Sequence, residues 1–157
     1  MSVILIVDDE ISALEALRMI FKNDYQVLTA QTSRQALDLL ENEFVDLVIL
    51  DITMPDISGM EVLRIIKEKA ADVAVVMVTA TKNIKTVVEA MKLGASNYVV
   101  KPFDVEEIRV VVQKTLRETS LSRELAYLRQ EISKDYKFGQ LIGTSRLSGR
   151  SSRPSFA

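Results

Sequence analysis

Short apolar runs alternate along the chain with segments whose apolar residues recur every three or four positions. Leu47 to Leu50 run without a polar interruption into Asp51, and Pro55, Asp56 and Gly59 follow as turn residues. A run bounded in this way predicts a strand buried on both faces, as in a parallel sheet. Residues 3–7, 25–30, 73–78 and 98–100 predict further strands of the same kind. Between them lie helical patterns. Ala13, Leu14, Leu17, Ile20 and Phe21 give the first helix one apolar stripe, and Ala36, Leu37, Leu40 and Phe44 supply the inner face of the second. Val62, Leu63 and Ile66 mark the third. Ile84, Val87, Val88 and Met91 fall at i, i+3, i+4 and i+7 and mark the fourth, with Gly94 as its C-terminal cap. Thr32 with Gln35, Ser58 with Glu61 and Asp104 with Glu107 are capping-box pairs at helix starts.

The alternation of strand and helix demands parallel crossovers, which are almost always right-handed, so a doubly wound α/β sheet is expected. The last helix outruns this pattern. Val105, Ile108, Val111, Val112 and Leu116 can cover the sheet, but helical residues continue through Leu121, Leu125, Leu128 and Ile132. Their spacing of 4, 3 and 4 is an a/d seam flanked by Arg123, Glu124, Arg129 and Glu131, and it favours a parallel dimer zipper over a single amphipathic helix folding back on its own domain. One helix over residues 104–134 spans about 45 Å at 1.5 Å per residue and projects beyond the domain. From Tyr136 the pattern breaks. The expected organisation is a domain over 1–116, a helical coiled-coil linker over 117–136, a truncated domain start over 137–145, and a disordered or vector-derived tail over 146–157.

Composition narrows the chemistry. The 157 residues are 48% hydrophobic, which suffices for a core, and a net charge of −2 offers no bulk attraction to nucleic acid or anionic membrane. With no cysteine and no histidine, disulfides, zinc-thiolate sites and imidazole-based triads are excluded. Neither a signal peptide nor a membrane span is recognisable, and the chain reads as cytoplasmic. What remains is carboxylate, hydroxyl and amine. Asp8 and Asp9, Asp51, Thr79 and Lys101 each follow a predicted strand, at the sheet edge where α/β proteins bind ligands. Alone, each would pass for a cap, a turn or a solvated residue; the conjunction at four strand ends points to a site. Two carboxylates about 4 Å apart repel by roughly 4 kcal/mol at an effective dielectric near 20, so three acids in one pocket need a cation, and Mg²⁺ is the natural choice. Asp51 could then attack phosphorus to form an acyl phosphate, with Lys101 and Thr79 serving the phosphoryl oxygens. There is no P-loop, so the phosphoryl group comes from an outside donor.

LIVDDE, LVILDITMPDISG, VMVTA and GASNYVVKPF, in this order and spacing, resemble the receiver domain of two-component response regulators over about residues 2–116. The resemblance implies a flavodoxin-like fold with strand order 2-1-3-4-5. It makes Asp51 the phosphoacceptor, and it makes Asp9 a direct ligand of Mg²⁺, with Asp8 acting mainly through water and the backbone carbonyl of Thr53 as a further ligand. Thr79 and Tyr98 become a switch pair, and the Lys101–Pro102 bond a candidate cis peptide. A sensor histidine kinase is the implied donor. The helix of Ile84 to Met91, the last strand and the helix from Asp104 are the implied output face.

KFGQLIGTS, residues 137–145, resembles the opening of the AAA+ domain of sigma-54-dependent activators of the nitrogen-regulatory class, although TATKN at 79–83 departs from the glycine-containing loop common there. No Walker motif or helix-turn-helix follows, so this fragment is expected neither to hydrolyse ATP nor to bind DNA. An Mg²⁺-dependent phosphatase of the haloacid-dehalogenase type also uses a strand-end aspartate, but it wants a second aspartate where Thr53 stands. A phosphorylation-independent interaction module is the third possibility.

Overall fold

The structure is a computed structural model that describes the backbone of residues 1–142 and the side chains of residues 1–132. Strands β1 (Val3–Val7), β2 (Gln26–Ala30), β3 (Leu47–Leu50), β4 (Ala74–Thr79) and β5 (Asn97–Val100) form one sheet. All neighbours are parallel, in the expected order β2-β1-β3-β4-β5. The connections carry α1 (Ile11–Phe21), α2 (Ser33–Asn42), α3 (Gly59–Lys69) and α4 (Ile84–Lys92), and α5 (Val105–Ile142) follows β5. This is the flavodoxin-like doubly wound fold with an extended C-terminal helix.

Alternation within the apolar runs sorts the core into two layers. Leu5, Val7, Val48, Leu50, Val75 and Met77 face α2 and α3 through Ala36, Val62, Leu63 and Ile66. Their neighbours Ile4, Ile6, Leu47, Ile49, Val76 and Val78 face α1 and α5 through Leu14, Leu17, Phe21, Ile108 and Val112. Both faces are therefore dry, which is why the strands read as unbroken apolar runs.

Side chains cap the helix starts where the sequence suggests. Thr32 and Ser58 accept from the N–H groups of Gln35 and Glu61, and the Asp104 N–H donates to Glu107. The capping boxes are only half formed. Gln35 reaches back to the N–H of Gln31 rather than Thr32, and Glu61 pairs with Arg64. Asn83 adds a cap that the periodicity does not reveal, accepting from Lys85 and Thr86. At Gly94 the backbone turns to φ +110°, and the N–H groups of Gly94 and Ala95 close on the carbonyls of Met91 and Ala90. That pattern is a Schellman motif, which glycine accommodates without a Cβ penalty.

Several expectations need correction. Phe44 is 72% exposed and does not belong to the inner face of α2. The helix ends at Asn42 and Glu43 is extended, so Phe44 falls out of the helical register. The apolar stripe of α4 is largely outside: Ile84, Val88 and Met91 are exposed, and the buried position is Ala90. Strands β2, β4 and β5 differ from the predicted bounds by one residue.

The chain divides into two compact units, residues 1–119 and 120–157. In the second, Leu121, Leu125, Leu128 and Ile132 are all exposed on helix. Helix α5 runs on to Ile142, past the pattern break at Tyr136, because backbone helicity does not require an apolar stripe. The proposed tail at 146–157 and the last residues of the 137–145 segment lie outside the described residues. Among the described residues no helix is long and apolar enough to cross a membrane.

Replacing wholly buried Ile108 by alanine should cost about 2–5 kcal/mol in urea unfolding followed by circular dichroism, whereas Phe44→Ala should change stability by no more than about 0.5 kcal/mol.

Candidate functional site

The parallel arrangement carries the carboxyl ends of all strands to one edge, and there the chain turns polar. Asp8 follows β1 and is nearly buried; Asp51 follows β3 and is 8% exposed. Each divides its carboxylate between two jobs. One oxygen of Asp8 accepts from the Glu10 N–H at 3.0 Å, and one oxygen of Asp51 accepts from the Thr53 N–H at 3.0 Å, so the loops fix both side chains. The remaining oxygens accept from Lys101 Nζ, at 2.8 Å from Asp8 and 3.1 Å from Asp51. Asp9, which is exposed, completes a cluster in which Asp8, Asp9 and Asp51 each offer an oxygen within 4.8 Å of the others.

Lys101 comes from the end of β5, where its bond to Pro102 is cis, as anticipated. Its N–H donates to the Thr79 carbonyl at 2.8 Å, which links the ends of β4 and β5. Burial alone would lower the lysine pKa, but the hydrogen bond to Asp8 and the charge of Asp51 outweigh that effect and raise it. The ammonium stays charged. One cation facing three carboxylates leaves a formal excess of two negative charges, which together with all-oxygen donors fits a hard divalent ion such as Mg²⁺.

Thr79 is buried at the end of β4. Tyr98, on β5, donates its hydroxyl to the Thr81 carbonyl at 3.2 Å. Burial first, and then the charge of Asp51, raises the pKa of its phenol, so the ring senses the acidic pocket. Asp8, Asp9, Asp51 and Lys101 are thus brought together. Thr79 is tied to them through backbone, Thr53 contributes its N–H, and Tyr98, on β5, bonds instead to the β4–α4 loop at Thr81. Leu121, Leu125, Leu128 and Ile132 belong to the second unit.

Two features of the site escape sequence reasoning. A Cβ at Gly59 would lie 2.2 Å from the Asp51 carbonyl oxygen, and the Gly59 N–H donates to the Ile52 carbonyl at 2.8 Å, so the start of α3 packs directly against the backbone of the acidic loop. Asp56, read from the sequence only as a turn residue, accepts from the N–H groups of Ser33 and Arg34 at 3.1 and 3.0 Å. The slight burial of Asp56 acts to raise its pKa. The backbone donors of Arg34 and Ser33, then those of Ile57 and Asp56 itself, outweigh this and hold it at about 2. The contacts with Ser33 and Arg34 join residues more than twenty positions apart, and local patterning carries no trace of them.

The fold and the acidic edge together define a flavodoxin-like domain with an oxygen-rich carboxylate cluster that could hold a metal ion. Residues 4–113 match the family described as the response regulator receiver domain, and the chain belongs to that family. It is 34% identical over 143 residues to regulatory protein AtoC of Escherichia coli K12, an alignment covering 90% of this chain and 31% of that protein. Among solved structures it is similar to a CheY-like receiver domain protein of Methanospirillum hungatei, at 29% identity and a TM-score of 0.75, covering 78% of this chain and 98% of that one. NtrX of Brucella abortus, crystallised with ADP, is similar at 30% identity and a TM-score of 0.77, with 82% of this chain and 30% of that one covered. The chain therefore spans less than a third of the length of AtoC and NtrX. Receiver domains of response regulators are signalling domains of two-component systems rather than turnover enzymes.

The depressed pKa of Asp56 fixes the sign of one pH effect. Its contribution to stability is complete above the ordinary carboxylate value of 3.8 and is lost as pH falls through about 2. The stability difference between wild type and Asp56→Asn should therefore be constant above pH 5 or so and shrink between about pH 4 and 2 in urea titrations.

Proposed function

We propose that the chain takes a phosphoryl group from a sensor histidine kinase onto Asp51 and uses it to switch the assembly or output of a transcription activator. The observation that carries this reading is the Asp51 carboxylate, nearly buried, with one oxygen held by its own loop and the other by Lys101 beside Asp8 and Asp9. A carboxylate so fixed is oriented for attack, and a neighbouring ammonium offsets charge that arrives with the phosphoryl oxygens.

The covalent step is a displacement at phosphorus. An Asp51 oxygen forms the new O–P bond while the bond from phosphorus to the donor imidazole nitrogen breaks, its electron pair staying on that nitrogen. Asp8, Asp9, Asp51 and the Thr53 carbonyl would hold Mg²⁺, which when bound neutralises charge on the transferring group. Lys101 exchanges its contact with Asp51 for one with a phosphoryl oxygen, and the Thr79 hydroxyl donates to another. Movement of Thr79 alters the loop that leads to Thr81, whose carbonyl holds Tyr98. Thr79 and Tyr98 thereby work as the switch pair, and α4, β5 and the start of α5 as the face that changes. The exposed Ile84, Val88 and Met91 on α4 support this assignment, since an apolar stripe turned to solvent is available to a partner.

Leu121, Leu125, Leu128 and Ile132 are proposed as a homodimer seam, favoured by their spacing and their exposure on helix. The resemblance of residues 137–145 to the opening of an AAA+ domain favours a sigma-54-dependent activator as the protein to which such a receiver is joined. ATP hydrolysis and DNA binding would then belong to other parts of that protein, and the receiver would act in the cytoplasm. The phosphatase reading is disfavoured by Thr53, which offers no carboxylate to protonate a leaving group or activate water.

With acetyl phosphate and Mg²⁺, intact-mass spectrometry should find one labile phosphoryl adduct on wild type and none on Asp51→Ala. An identical adduct on both would overturn the assignment, and sustained turnover of small phosphoesters would favour the phosphatase. In sedimentation equilibrium, replacing both Leu125 and Leu128 by glutamate should convert a dimer into a monomer; equal masses would exclude the seam.

A further inference from the structure

The segment between Asp51 and Gly59 is fastened at three places. At its start the Thr53 N–H binds Asp51, and at its end the Gly59 N–H binds the Ile52 carbonyl. Both of these bonds lie within the segment. The third fastening is to another element: Asp56 takes the N–H groups of Ser33 and Arg34 at the start of α2, one on each carboxylate oxygen. Ser33 answers in the other direction, donating its buried hydroxyl to the Ile57 carbonyl at 2.6 Å. Two adjacent loop residues and two adjacent helix residues are therefore locked reciprocally.

We infer that Asp56 is a positioning residue for the cation pocket, holding the middle of this segment on the N-terminus of α2 so that the Thr53 backbone keeps its place beside Asp8, Asp9 and Asp51. The inference rests on the reading of that pocket as a divalent-cation site. A loop pinned only at the Thr53 N–H and at Gly59 keeps freedom between them; the Thr53 carbonyl opens that free stretch and Asp56 lies in its middle. A carboxylate using both oxygens on consecutive N–H groups removes that freedom, because the bonds are charge-assisted and fix orientation as well as distance. The positive end of α2 favours the charge. Capping of α2 does not by itself call for Asp56, since Thr32 already accepts from Gln35 there. The exposed Asp56 side chain is held by these bonds rather than by packing.

The full chain should be titrated with Mn²⁺ as the probe, with the free ion read by electron paramagnetic resonance and urea stability measured on the same samples. Asp56→Ala and Ser33→Ala should weaken Mn²⁺ binding about tenfold, the loss typical when an outer partner of a metal ligand is removed. Asp56→Asn, which keeps one acceptor oxygen, should fall between these and wild type. Asp38→Asn, an exposed position on α2 that loses the same charge, should bind as wild type does. If Asp56→Ala does not fold, Ser33→Ala and Asp56→Asn decide the matter. Equal affinity in wild type and the folded variants, with only stability reduced, would overturn the inference and leave the pocket reading intact. An equal loss in Asp38→Asn would also overturn it, since net charge would then be the cause. Failure of wild type to bind Mn²⁺ would overturn the pocket reading and the inference with it.

Discussion

The Lys101 ammonium lies within hydrogen-bond distance of both Asp8 and Asp51, and the rest of the acidic edge is arranged around that shared contact. Strands in a sheet stand about 4.8 Å apart, so a side chain from β5 must cross β4 to reach β3 and β1. A long unbranched stem can make the crossing. The buried carboxylates in turn require it, because two acids this close and this shielded repel strongly unless a cation lies between them. The loop bonds of Asp8 and Asp51 then leave one oxygen of each turned toward the lysine. Lysine, loops and strand order are parts of one electrostatic solution.

Most of the fold was legible because its strands are buried on both faces. Leu47 to Leu50 and Val3 to Val7 have no polar interruption, and in water such runs have few places to go except the middle of a parallel sheet. Errors appeared where a residue's neighbours in space differ from its neighbours in sequence. Phe44 fits the spacing of α2, but the helix ends before it; Ile84, Val88 and Met91 keep perfect helical spacing and still face outward. Periodicity reports that one side of a helix is apolar. It does not report whether the protein's own core occupies that side.

The site divides along the same line. Asp8, Asp9, Asp51, Thr79 and Lys101 could be picked out because each sits at the end of a strand or just past it, and a parallel sheet delivers all strand ends to one edge. Asp56 and Gly59 could not, since what they do depends on contacts with Ser33, Arg34 and the Asp51 backbone that exist only once the chain has folded. An aspartate after proline looks like any other turn residue until the helix it serves is found.

The opposite edge of the sheet has a pin of its own. Asp46 accepts from the Val3 N–H through its side chain and donates its own N–H to the Val3 carbonyl, while its carbonyl accepts from Ala74. One residue thus registers β1, β3 and β4 at their starts, far along each strand from the acidic pocket. The turn just before it, including exposed Phe44, carries none of this burden. Lengthening a surface turn costs little in loop entropy. The stretch from Glu43 to Phe44 is thus a natural place to splice in a tag, a fluorophore or a second domain, and divergence among homologous proteins should accumulate there while Asp46 stays put.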